Sequence, residues 1–152
     1  MKLSFTEFLQ KIDYKDPSEY DFDGDETIDK NIKETLKNIN KSSWCWTLWS
    51  CEGHNHEDNS TSLPYFVFIV KKKCIPVLLG ILFNTLDPEV DIESMLPLCN
   101  TNSINISWGF TDDKYAIVNV HWDHNFLEDP EQHKKLLADF YEMSFKILEA
   151  KL

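Results

Sequence analysis

Between Ser43 and Cys51 the chain alternates with a period of two: Trp44, Trp46 and Leu48 fall on one side, Cys45, Thr47, Trp49 and Cys51 on the other. A β-strand places successive side chains on opposite faces at this spacing, so the segment is committed to a sheet. Both faces carry large apolar groups. The pattern therefore predicts a central strand covered on both sides, or a sheet whose second face serves as a binding surface or a homodimer contact. The strand runs directly into Ser50-Cys51-Glu52-Gly53-His54-Asn55-His56, a polar loop held at the end of a rigid element, where binding and catalytic groups concentrate.

The rest of the chain supplies the partners of that strand. Ser4 to Ile12 reads as a short helix, with Ser4 and Glu7 as a capping box and Phe5, Phe8, Leu9 and Ile12 on one face. A second helix spans about Thr27 to Asn40, with Ile28, Ile32, Leu36 and Ile39 at helical spacing. After the polar loop Glu52 to Leu63, Pro64 opens a strand from Tyr65 to Val70. Pro76 suits the first turn of an internal helix reaching Leu86. Asp87 to Thr101 reads as irregular. Ile104 to Phe110 and Tyr115 to His121 form two more strands around a turn at Thr111 to Lys114, and a last helix follows Asp129-Pro130 to the end. The order α-α-β-β-α-β-β-α predicts an α+β fold: a four-stranded, mainly antiparallel sheet with helices packed on it, in one domain over 1–152.

Charge and cysteine usage narrow the function classes. The 152 residues carry a formal net charge of -11, and every basic residue is lysine. Such a surface argues against duplex DNA as a partner and against broad phosphate binding. The acidic segment with Asp16, Glu19, Asp21, Asp23, Asp25, Glu26 and Asp29 fails the calcium-loop spacing: started at Glu19 it ends on Lys30, and started at Asp21 it puts Glu26 at the glycine position. Its plainer reading is an acidic turn that caps the next helix, and it also fits an inhibitor surface for a basic protein. No apolar signal segment precedes Glu7 and no run is long enough to span a bilayer, which predicts a cytoplasmic chain without membrane contact. Cys45 and Cys51 lie roughly 20 Å apart along one strand and cannot pair, so reduced thiols are expected.

Two constellations carry chemistry. At the Ser50 to His54 corner, Gly53 tolerates positive φ and frees neighbouring amides to form an anion nest, with Thr47, Trp49, Ser50, Cys51, Glu52, His54 and Trp108 as ligand-binding candidates. In the plainer reading Gly53 ends the strand and the histidines are solvated. At the end of the last strand stands His121-Trp122-Asp123-His124. If the sheet brings the two ends together, Cys51, His54, His56, His121 and His124 supply the donors of a tetrahedral zinc; otherwise they are surface groups. Tryptophans 44, 46, 49, 108 and 122 are either core or, for Trp49 and Trp108, a stacking platform.

Thr47-Leu48-Trp49-Ser50-Cys51-Glu52-Gly53, preceded by Asn40 and followed by the strand Tyr65-Phe66-Val67-Phe68, resembles the start of the wybutosine-synthesis methyltransferase family, whose motif runs Thr-x-Ser-Ser-Cys-Ser-Gly-Arg. It also resembles small uncharacterised bacterial and phage proteins with Ser-Cys-x-Gly-His. The resemblance covers about Ile32 to Val70, with Glu52 in place of serine and His54 in place of arginine. It implies a related sheet corner and a nucleotide-like ligand; with the basic residue replaced, methyl transfer does not carry over.

The leading expectation is a small acidic binding protein without turnover, holding a nucleotide-like or other small anionic molecule at the Ser50 to His54 corner, in the style of a phage or bacterial anti-defence or immunity factor. The alternatives are a metal-assisted hydrolase or distant transferase using the Cys/His cluster, and an acidic inhibitor of a basic partner.

Overall fold

The computed structural model describes residues 5–11, 21–55, 58, 61–86, 104–111, 113–122 and 129–152. Four helices, α1 (Phe5–Lys11), α2 (Lys33–Asn40), α3 (Ile75–Leu86) and α4 (Pro130–Glu149), accompany six strands: β1 (Cys45–Cys51), β2 (His54–Asn55), β3 (Thr61–Ser62), β4 (Tyr65–Lys71), β5 (Ile104–Thr111) and β6 (Tyr115–Trp122). The four long strands form one antiparallel sheet in the order β1-β4-β6-β5, which makes the fold α+β with the expected succession of elements. Within the expected polar loop, β2 and β3 pair as a small second sheet.

Alternation along the central strands decides the two faces. Phe66, Phe68, Val70, Val118 and Val120 are buried towards the helices, where they meet Ile32, Leu36, Ile39, Leu78, Leu82, Phe140, Met143 and Ile147. Three rings interlock at its centre, with Phe140 on α4 edge-on to Phe66 at 4.9 Å and 5.0 Å from Trp122. Val67, Ile69 and Ile117 line the opposite face under a smaller layer that includes Leu9 of α1, Trp46, Leu48 and Tyr115. Asp129 begins α4 by accepting from the amides of Glu131 and Gln132, with Pro130 in the first turn, as N-cap chemistry requires.

β1 lies at the edge of the sheet; the covered central strands are β4 and β6. A bulge between Thr47 and Trp49 also breaks the simple alternation: Trp46 pairs with Ile69 and Trp49 with Val67, so both tryptophans share the second face. An edge strand exposes unpaired amides, and here side chains take them. Ser42 Oγ accepts from the Cys45 amide at 3.0 Å, Asn40 Oδ1 from Thr47 at 2.9 Å, and Asp29 Oδ2 from Glu52, just past the strand, at 2.9 Å. Asn40 Nδ2 adds bonds to Leu36 O and Thr47 Oγ1. Trp44, expected on a sheet face, instead turns into the core and donates from Nε1 to the Ile147 carbonyl at 3.0 Å.

Among the described residues no helix is long and apolar enough to cross a membrane. His56, His124, Ser4, Asp16, Glu19 and the whole of the Asp87–Thr101 segment lie outside the described residues, as does the side chain of Trp108.

Candidate metal centre

Cys51 ends β1 and Tyr65 begins β4 directly opposite it, followed across the sheet by His121 on β6. Beyond Cys51 the chain turns through Gly53, whose φ of 93° lies in the left-handed region. A Cβ there would stand 3.2 Å from the Pro64 ring and 3.3 Å from the Ser62 carbonyl. Glycine is thus needed both for the backbone angle and for the close approach of the β2 and β3 strands. The turn returns His54 to the side of Cys51.

Asp29, just ahead of the 3-10 turn Lys30–Ile32, completes the corner. Its side chain does not cap that turn. It reaches into the β1 end, where Oδ1 lies 2.8 Å from His54 Nε2 and Oδ2 accepts from the Glu52 amide. A carboxylate oxygen only accepts, so the His54 Nε2 carries the proton of this bond. Cys51 is buried, and its Sγ accepts from the Gly53 amide at 3.3 Å. One donor atom from each of Asp29, Cys51 and His54 lies within 4.8 Å of the others.

Negative charge dominates this corner. Glu52 is 6 % exposed and its Oε2 is buried with no hydrogen-bond partner among the described residues. Its peptide is held on both sides, the amide by Asp29 and the carbonyl by His133 Nε2 of α4 at 2.8 Å. Burial pushes the Cys51 thiol above its ordinary pKa; the Gly53 amide opposes this, while the Asp29 and Glu52 carboxylates add to it. Burial, then the charges of Cys51 and Asp29, likewise raise the Tyr65 phenol.

This arrangement discriminates between chemistries. A nucleophilic cysteine is activated by cationic neighbours that lower its pKa, whereas Cys51 is held as a neutral thiol. An anion nest needs free amides, whereas the Glu52 and Gly53 amides are engaged by Asp29 and Cys51. A cation would answer both carboxylates, would take the place of the Cys51 thiol proton, and would bind a lone pair of the neutral His54 imidazole, which keeps its one N–H on the other ring nitrogen.

Of the residues singled out from sequence, Cys51 and His54 come together, with Glu52 and Gly53 framing them. Trp49 shares their strand face, half exposed. Ser50 pairs with Phe66 on the helix-facing side, and Thr47 is tied to Asn40 at the bulge. His121 is exposed and stands two strands from Cys51, about 10 Å at ordinary strand spacing. The acidic turn is built by its own side chains: Asp21 accepts from the Gly24 amide, Asp25 from Thr27, and Asp23 pairs with Lys37 at 3.1 Å. Sequence reasoning missed Asp29 as a member of the corner and His133 as its support.

In comparisons with known proteins the chain matches no family model, no curated protein and no solved structure.

Proposed function

We propose that this chain binds a divalent metal ion of the zinc class through Asp29, Cys51 and His54. The observation that carries the reading is the convergence of an oxygen, a sulfur and a nitrogen donor within 4.8 Å, beside a buried carboxylate oxygen without a partner. Bonds of about 2.0–2.3 Å at tetrahedral angles put neighbouring donors roughly 3.3–3.6 Å apart, so the cluster closes on an ion with sub-ångström to ångström shifts. Magnesium and calcium favour all-oxygen shells, whereas mixed thiolate, imidazole and carboxylate donors favour zinc.

The metal also gives a small anionic molecule a reason to bind where two carboxylates would repel it. With three protein donors among the described residues, a fourth position is left for water or a ligand atom, the arrangement of exchangeable rather than purely structural zinc sites.

Equilibrium dialysis of untagged protein against micromolar zinc tests the reading. About one equivalent is retained, and Cys51→Ser, His54→Ala and Asp29→Asn each weaken retention at least about tenfold while circular dichroism stays native. Less than about a tenth of an equivalent on the wild type, or full retention by the triple variant, rejects it.

A further inference from the structure

Among the described side chains of the sheet, Trp49 and Tyr65 are the large rings left exposed. Trp44 and Trp122 are 1 % exposed and Phe66 and Phe68 fully buried, whereas Trp49 is 51 % and Tyr65 38 % exposed. Both lie on the face that carries Cys51, since Trp49 pairs with Val67 and Tyr65 with Cys51. Trp49 and Tyr65 are thus diagonal neighbours across two strands, about 7–8 Å apart. Trp49 stands two residues from Cys51, about 7 Å along the strand. Val67, directly opposite Trp49, is buried, and the half-buried Asn119 follows it on β6.

We infer that this face binds a nucleoside monophosphate, its phosphate oxygen taking the fourth position on the metal and its base stacking on Trp49. The inference rests on the metal reading above. A planar ring is called for because an indole 51 % exposed offers stacking area and no charge. An oxyanion is called for because Cys51, a donor of the proposed metal, lies only about 7 Å along the strand from Trp49, a span that one sugar covers. The exposed Tyr65, paired with Cys51 across the strands, offers a hydroxyl donor to the same oxyanion. Asn119 offers both a donor and an acceptor to the edge of the base. Charge makes the metal obligatory: Asp29 and Glu52 stand at the corner and the chain carries -11, so a bare phosphate is repelled.

Calorimetric titration of zinc-loaded and zinc-free protein with adenosine monophosphate, adenosine and inorganic phosphate tests this. The monophosphate binds zinc-loaded protein at least about tenfold tighter than either fragment and tenfold tighter than it binds zinc-free protein. Trp49→Ala keeps its zinc and loses roughly 5- to 150-fold in nucleotide affinity, the range for removing one stacking ring, and Trp49→Phe recovers part of it. Zinc uptake with no nucleotide binding, equal binding of phosphate and monophosphate, or an unaffected Trp49→Ala variant each overturn the inference while leaving the metal site standing. Failure of the wild type to retain zinc in dialysis removes both.

Discussion

His133 Nε2 donates to the backbone carbonyl of Glu52 at 2.8 Å, joining residues 81 positions apart. A carbonyl only accepts, so this imidazole nitrogen donates, and His133, which is not among the three converging donors, acts here as a brace. Together with the Asp29 bond to the Glu52 amide, it fixes the peptide between Cys51 and Gly53. Groups of this kind orient the donors next to them. His133→Ala is expected to weaken zinc binding about 10- to 100-fold and to cost about 1–2 kcal/mol of stability, with His133→Gln recovering part of both. Zinc competition assays and thermal melts read the two effects; unchanged zinc affinity in a folded His133→Ala protein contradicts the brace.

Gly53→Ala tests the turn itself. At φ 93° with the Pro64 ring 3.2 Å from the added carbon, the substitution is expected to destabilise by about 1–3 kcal/mol. Urea unfolding measures it, and a neutral or stabilising result contradicts the tight corner.

Asn40 serves the edge of β1 with three bonds from one amide, to Leu36 O, Thr47 Oγ1 and the Thr47 amide. Asn40→Ala takes its partner from the Thr47 amide on the strand edge and from the Thr47 hydroxyl, an expected loss of about 1–3 kcal/mol, or some 2–12 °C in melting temperature. Because the edge is then open to pairing, self-association rises as well, which light scattering detects. A variant that melts like the wild type and stays monomeric contradicts this role.

The raised Cys51 thiol sets the sign of a pH effect. Alkylation requires thiolate, so the modification rate of Cys51 by iodoacetamide, followed on its own peptide by mass spectrometry, rises with pH through a midpoint above that of an ordinary thiol. Asp29→Asn removes one of the charges that raise it and moves the midpoint down. Zinc binding expels the same proton, so zinc affinity increases from pH 6 to pH 8 and zinc protects Cys51 from alkylation. A midpoint below the ordinary range, or no protection by zinc, runs against the account.

Local pattern carried the fold a long way. Period-two alternation marked β1, Pro64 marked the opening of β4, and Asp129-Pro130 marked the start of α4, because these signals arise within a few residues. The bulge at Leu48 was not visible in the same way: an inserted residue keeps its β-like composition while moving Trp49 onto the face of Trp46. The edge position of β1 was hidden too, since its free amides are met by Asn40, Ser42 and Asp29 rather than by another strand. At the corner, Cys51, Gly53 and His54 announced themselves by proximity in sequence. Asp29 and His133 did not, for their bonds to the corner span 25 and 81 positions and no local spacing encodes them. The one local cue was an aspartate ahead of a helical turn, which reads as a cap until its side chain is seen facing elsewhere.

Cobalt(II), which takes zinc's place at mixed nitrogen, oxygen and sulfur donors, tests the central claim most directly, because a cobalt–thiolate bond has its own near-ultraviolet charge-transfer absorption. Titration of the reduced protein is expected to raise this band to a plateau at about one equivalent, with zinc abolishing it and Cys51→Ser never showing it. A folded wild type that develops no thiolate band, or a Cys51→Ser protein that develops the same one, contradicts a metal centre at Asp29, Cys51 and His54.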